Sequence, residues 1–122
     1  MTCETFKINT LQQYRFVVVL SKYNGKILLS RHKDRTTWET QGGHIEQGET
    51  PLEAAKRELY EESGAVEFDM EPLCDYWAGN LDTGAEGNGM VFVADIHKLG
   101  VLPENLTYEA ITPVLFAKIS CY

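Results

Sequence analysis

Three glutamates, Glu58, Glu61 and Glu62, stand close together in the stretch GHIEQGETPLEAAKRELYEESGA, which runs from Gly43 to Ala65. On a helix turning about 100° per residue, Glu61 lies about 60° to one side of Glu58 and Glu62 about 40° to the other, so all three share one arc. Like charges at these spacings cost a helix roughly 0.2–0.5 kcal/mol per pair, and acids in a last turn also face the negative end of the macrodipole. Local physics opposes the arrangement. A hard divalent cation reverses the sign of that repulsion. Mg²⁺ suits such a group, because it takes a few carboxylates, keeps several waters and bridges to substrate phosphates. The alternative reading of the triplet alone is a solvated acidic helix face.

The elements that would position these acids are well marked. Thr50 is placed to be an N-cap, Pro51 fits the first helical position, and Glu53 completes a capping box. Gly64 supplies the stop. Leu52, Ala55 and Leu59 form a narrow apolar stripe predicted to pack inward, and Glu53 precedes Arg57 by four residues, the favourable order for a pair. Ahead of the helix, Gly42-Gly43 and Gly48 permit a tight loop whose backbone can come close to a ligand or metal.

Taken together, Gly43, Glu49, Arg57, Glu58, Leu59, Glu61, Glu62, Gly64 and Ala65 resemble, position by position, the signature of the Nudix hydrolases. The resemblance implies an α+β fold, the Nudix α/β/α sandwich, with a mixed sheet and the signature loop and helix on one side. It also implies that Glu58, Glu61 and Glu62 hold Mg²⁺ or Mn²⁺, helped by the backbone carbonyl of Gly42. Arg57 and Glu49 match positions that orient the acids, Glu58 or Glu61 matches the general base, and Gly43 approaches the substrate. The implied reaction is metal-dependent cleavage of a nucleoside triphosphate to monophosphate and pyrophosphate. A small MutT-like member acting on 8-oxo-dGTP leads, with ordinary (d)NTPs close behind. The alternatives are a hydrolase of ADP-ribose or another nucleoside diphosphate derivative, and a catalytically silent nucleotide-binding domain. One position departs from the pattern. Many relatives have Pro before the glycine pair, where this chain has Gln41, expected to restore a backbone N–H and loosen the loop.

Composition fits a single domain over residues 1–122: 43% apolar and 24% charged residues suffice for one core. No apolar run is long enough to span a membrane as a helix, so a cytoplasmic protein without membrane partners is expected, monomer or homodimer. The formal charge of −7 argues against long nucleic-acid polymers, whose phosphates call for clustered Lys and Arg, but leaves room for a small nucleotide. Cys3, Cys74 and Cys121 are odd in number and far apart, which predicts reduced thiols.

Along the chain, Tyr14 to Ser21 and Lys26 to Ser30 read as strands joined by the hairpin signal Asn24-Gly25. A short extended segment around Trp38 to Gln41 leads to the glycine pair. Val66 to Ala78 follows the helix as a long strand interrupted near Glu71-Pro72, then Met90 to Ile96, with a flexible Gly-rich loop over 79–89 between them. Leu99 to Asn105 is expected to run almost directly into a closing helix from Thr112-Pro113 to Ile119. Outside the signature, Arg31 is a candidate phosphate contact or a surface residue, and Trp38 a base-stacking or core residue. Tyr76 and Trp77 must face opposite ways. Glu104 and Glu109 are weaker candidates for an extra ligand, and His44 stands out among the histidines because it lies inside the signature loop.

Overall fold

A computed structural model describes residues 2–32, 36–101 and 106–111. Its strands are β1 (Thr2–Phe6), β2 (Tyr14–Tyr23), β3 (Lys26–His32), β4 (Gln41–His44), β5 (Ala65–Gly79), β6 (Glu86–Leu99) and β7 (Leu106–Ile111), with one described helix, α1 (Pro51–Ser63). They form one seven-stranded sheet in the order β1-β5-β6-β2-β3-β7, with β4 added to β2. The sheet is mixed, because β2 and β6 run parallel while the other neighbours are antiparallel.

The β-branched run Val17-Val18-Val19 makes β2 central. Val17 and Val19 pack with Leu28, Phe92, Ile96 and the helix residues Ala54, Ala55 and Leu59, while Val18 joins Tyr76 and Val91 on the opposite face. Residues that alternate in sequence therefore serve two layers. Asn24 and Gly25 both have left-handed φ, 54° and 77°, as a two-residue hairpin whose twist matches its strands requires. Pro72, which has no N–H for a ladder, coincides with a register shift between Pro72 and Cys74.

One edge of β2 is shared. Ser21, Lys22 and Tyr23 pair with β3, whereas Phe16 to Val19 pair with β4, so that edge passes from one strand to the other at a fork. Among the described residues, the backbone pairing between β3 and the approach of β4 is an isolated bridge, Ser30 to Glu39.

Several expectations are corrected. β1 precedes the segment read as the first strand, and β7, at Leu106–Ile111, lies between Leu99–Asn105 and the expected closing helix, where no strand was expected. Both depend on partners far along the chain, β5 and β3, so no local periodicity announces them. The strands flanking the Gly-rich segment extend to Gly79 and from Glu86, leaving a short loop. Leu52 is exposed, and the buried stripe of α1 is Ala54, Ala55, Leu59 and Ser63. Cys74 is free as expected, Cys3 is disulfide-bonded against the expectation of a reduced thiol, and Cys121 lies outside the described residues. The closing helix and Glu104 lie outside the described residues, and Glu109 falls on β7 opposite Leu29.

The loop between β1 and β2 closes on the fully buried Asp75, whose carboxylate accepts from the N–H groups of Asn9 and Leu11 and from the Tyr14 hydroxyl. Burial, then the Asp75 hydrogen bond, push the Tyr14 phenol up to about 12. A raised folded value means stabilisation that is complete below the unfolded value near 10 and lost as pH rises through about 12. Tyr14→Phe should therefore reduce the loss of stability between those two pH values, as checked by urea unfolding across the alkaline range.

Candidate metal and phosphate site

The helix that carries the acids begins and ends as its sequence dictates. The Thr50 side chain accepts from the Glu53 N–H at 3.1 Å while the Glu53 carboxylate accepts from the Thr50 N–H at 2.9 Å. Gly64, at φ 77°, closes the far end and donates to the Tyr60 carbonyl. In the loop before the helix, the Ile45 N–H donates to the Arg15 carbonyl and the Glu46 N–H to the Glu49 carboxylate. The first contact holds the loop against β2, the second closes the loop on itself, and Glu49 in turn is held to α1 by Arg57.

Arg57 organises the acids. Its guanidinium grips Glu49 through two bonds, at 2.7 and 3.0 Å, and also donates to Glu58 at 2.7 Å, Glu61 at 3.2 Å and the His44 carbonyl at 3.1 Å. Such a planar fork satisfies several acceptors at fixed angles, which a lysine cannot do. Hydrogen bonding from Arg57 holds the Glu49 carboxyl below the usual carboxylate range. Glu58 moves the other way. Burial raises its carboxyl against the opposing pull of Arg57, and the nearby charges of Glu61 and Glu49 push the same way as burial. Glu61 is about half exposed.

Glu62 leaves the helix on its own course. Its carboxylate accepts from the Gly42 N–H at 2.7 Å, and its main-chain carbonyl accepts from the Ser30 hydroxyl at 2.6 Å. Both glycines of β4 are pressed by neighbours: a Cβ on Gly42 would run into the Val17 carbonyl, and one on Gly43 would stand 2.6 Å from a Glu58 oxygen. Glycine is therefore required at position 42, where fixed backbone stands in the way, while a side chain at position 43 would displace the Glu58 carboxylate.

The donor chemistry fits a hard cation, since the helix face offers carboxylate oxygens and neither thiol nor imidazole. Among the described residues, no three acidic, His or Cys side chains converge on a single point. The cause is visible: Arg57 draws Glu58 and Glu61 toward itself, and Gly42 holds Glu62.

A model of the NUDIX domain matches residues 11–111, most of the chain. The chain belongs to the NUDIX family. Stretches of this NUDIX domain are 41% identical over 56 residues to an RNA pyrophosphohydrolase of Francisella philomiragia and 40% identical over 57 residues to one of Francisella tularensis subsp. mediasiatica. Those matches cover 46% and 47% of this chain but only 36% of each relative's length. Among solved structures, a Bacillus subtilis pyrophosphohydrolase superposes with a TM-score of 0.71 at 27% identity, covering 88% of this chain and 70% of that one. A NUDIX hydrolase from Nitrosomonas europaea superposes at 0.69 and 20% identity, covering 87% and 77%, which speaks to the shared fold alone.

Within this NUDIX domain, Glu49, Arg57, Glu58 and Glu61 gather around one guanidinium, and Glu62 and Gly42 pair beside them. Arg31 and Trp38 form a separate pair, with the guanidinium carbon 5.0 Å from the ring centroid. Ser30 turns toward α1, so Arg31, the next residue on the strand, turns to the opposite face. Tyr76 is buried edge-on against Phe16, whereas Trp77 folds its ring over Gly79. His44 is exposed and contributes its carbonyl, and His97 pairs with Asp69. An open cavity of about 410 Å³ flanks the loop, with Arg15, Phe16, His44, Ala78 and Asn80 among its walls.

Gln41 is the site-adjacent residue whose part the sequence concealed. It is fully buried, and its side chain makes three hydrogen bonds, to Ser21, Leu28 and Ser30. It thus ties the loop down where it was expected to loosen it. The one sequence signal was a long polar side chain at the end of a segment predicted to be extended.

Proposed function

We propose that this NUDIX domain is a metal-dependent pyrophosphohydrolase that cleaves a nucleoside 5′-triphosphate to a monophosphate and pyrophosphate. The observation that carries the reading is the crowding of Glu58 and Glu61 against a single guanidinium, with Glu62 fixed beside them by Gly42. Glu58, Glu61 and Glu62 would hold Mg²⁺ or Mn²⁺, with the Gly42 carbonyl as a further donor. When bound, such an ion activates water as a nucleophile and offsets charge gathering on the phosphate oxygens.

The chain's own residues supply the rest. Arg57, anchored by Glu49, sets the direction of the Glu58 and Glu61 carboxylates. Glu58, whose burial raises its affinity for a proton, and Glu61, which is exposed enough to meet a water, are the groups able to accept the proton of the attacking water. The bare backbone at Gly43 lets a phosphate come close. Arg31, steadied by Trp38, is the basic side chain assigned to substrate phosphates, and the cavity beside His44 has room for the rest of the nucleotide.

The triphosphate could be free, with 8-oxo-dGTP or an ordinary (d)NTP as substrate, or it could stand at the 5′ end of an RNA. The names of the Francisella relatives favour the second form. The charge of −7 disfavours long contact with a polymer, but a terminal triphosphate is a small ligand whatever follows it.

Release of pyrophosphate or phosphate should be followed with Mg²⁺, with Mn²⁺ and with chelator. The panel should hold 8-oxo-dGTP, the common NTPs and dNTPs, 5′-triphosphorylated RNA and ADP-ribose. Metal-dependent release from a triphosphate is expected. Release from ADP-ribose alone would move the reaction to a different substrate class, and binding without turnover would leave a silent domain.

A further inference from the structure

The buried polar chain at the fork of β2 has a single direction. Ser21 donates through its hydroxyl to the Gln41 carbonyl oxygen at 2.6 Å, the Gln41 amide donates to the Ser30 hydroxyl at 2.8 Å, and Ser30 donates to the Glu62 main-chain carbonyl at 2.6 Å. A hydroxyl has one proton to give, so Ser30, committed to Glu62, must accept from Gln41. The second N–H of the Gln41 amide goes to the Leu28 carbonyl at 3.2 Å, so both N–H groups donate and the amide oxygen accepts. Bonds aligned head to tail in a buried site reinforce one another, and interrupting one strands its neighbours without water.

The chain ends where the site begins. The Glu62 carbonyl is among the last four of α1, which have no partner within the helix. Ser30 supplies one from the sheet, and the next residue after Gln41 supplies the N–H that holds the Glu62 carboxylate. Residue 62 is thus held twice, by its main chain through Gln41 and Ser30 and by its side chain through Gly42.

We propose that Gln41 is a positioning residue: acting through Ser30, it fixes the last turn of α1 so that the Glu62 carboxylate is presented beside Gly42 in the orientation a divalent cation needs. The inference rests on the metal reading of Glu62 given above. It goes beyond that reading in assigning Gln41, Ser21 and Ser30 to the alignment of one ligand, where otherwise they would only fill the core.

The test uses the whole chain and Mn²⁺ alone, without nucleotide. Mn²⁺ affinity is read from water proton relaxation and the protection of the Gly42 amide from hydrogen exchange, for Gln41→Leu, Ser30→Ala and Ser30→Thr. Disturbing groups that orient metal ligands typically costs 10–100-fold, so Ser30→Ala and Gln41→Leu should weaken Mn²⁺ binding about tenfold and expose the Gly42 amide. Ser30→Thr, which keeps the hydroxyl, should restore both. With Glu62→Gln as background, Ser30→Ala should cause no further loss of Mn²⁺ affinity. Ser30→Ala removes only one oxygen, so it keeps the test alive if Gln41→Leu fails to fold. Unchanged Mn²⁺ affinity and Gly42 protection in the variants, with only a lower Tm, would overturn the proposal, as would an unaltered protein that binds no Mn²⁺ saturably. The expected Mn²⁺ pattern without hydrolysis of any triphosphate would sink the proposed reaction while supporting the role of Gln41.

Discussion

Replacing Glu58 by Gln should lower kcat about a thousandfold, the scale on which removal of a fixed electrostatic group acts, and should leave Tm unchanged or higher. The first effect follows from its place among the proposed ligands and bases. The second follows from its surroundings. Burial, with the charges of Glu61 and Glu49, outweighs Arg57, so ionising this carboxyl is harder in the pocket than in water. An amide avoids that cost, and its oxygen can still accept from Arg57.

The pH dependence has a definite sign. Because the folded value is raised, Glu58 favours folding at pH below its ordinary value of 4.5, and that contribution fades as pH rises through the folded value. In chelator, the stability advantage of Glu58→Gln should therefore be absent in acid and grow toward neutrality. Calorimetry over the acid range, paired with kcat at saturating Mg²⁺, decides the matter. A variant that loses Tm and keeps its turnover would show Glu58 to be a structural residue.

Arg57→Lys should lower both quantities. Lysine brings the same charge but a single compact donor group, so it cannot grip Glu49 twice while also reaching Glu58, Glu61 and the His44 carbonyl. Interaction with Glu49, followed by Glu58, raises the Arg57 guanidinium well above its already high ordinary value, so the cation is permanent. A loss of about 10–100-fold in kcat is expected, with a clear fall in Tm. Glu49 reports on the same event. Its lowered carboxyl contributes stability that is present above its unfolded value and lost on acidification, and without the paired hydrogen bonds that acid sensitivity should flatten. Urea unfolding between acid and neutral pH measures it. The two substitutions thus move Tm in different directions, which separates an acid poised for chemistry from the base that holds the acids.

What could be read in the sequence divides by range. Thr50, Pro51, Glu53 and Gly64 act on residues three or four away, and they set α1 to the residue. Asn24-Gly25 likewise set a hairpin. β1 and β7 were hidden because each is a strand only by virtue of a neighbour remote in the chain. Leu52 was misplaced because a 3.6-residue period defines an apolar arc but not which edge of it the sheet will cover. The site followed the same rule. Glu49, Arg57, Glu58, Glu61 and Glu62 declared themselves by spacing along one loop and helix, whereas Gln41 and Ser30 meet Glu62 through a fold that no spacing encodes.

The divided edge of β2 bears on how much this architecture can vary. β3 and β4 each take their own length of one strand, so the stretch joining them carries little of the sheet's register. A change of length in that stretch leaves both docking positions intact, provided the bridge between Ser30 and Glu39 is preserved. Connections of other lengths can therefore be accommodated between β3 and β4 while the acids on α1 stay where they are.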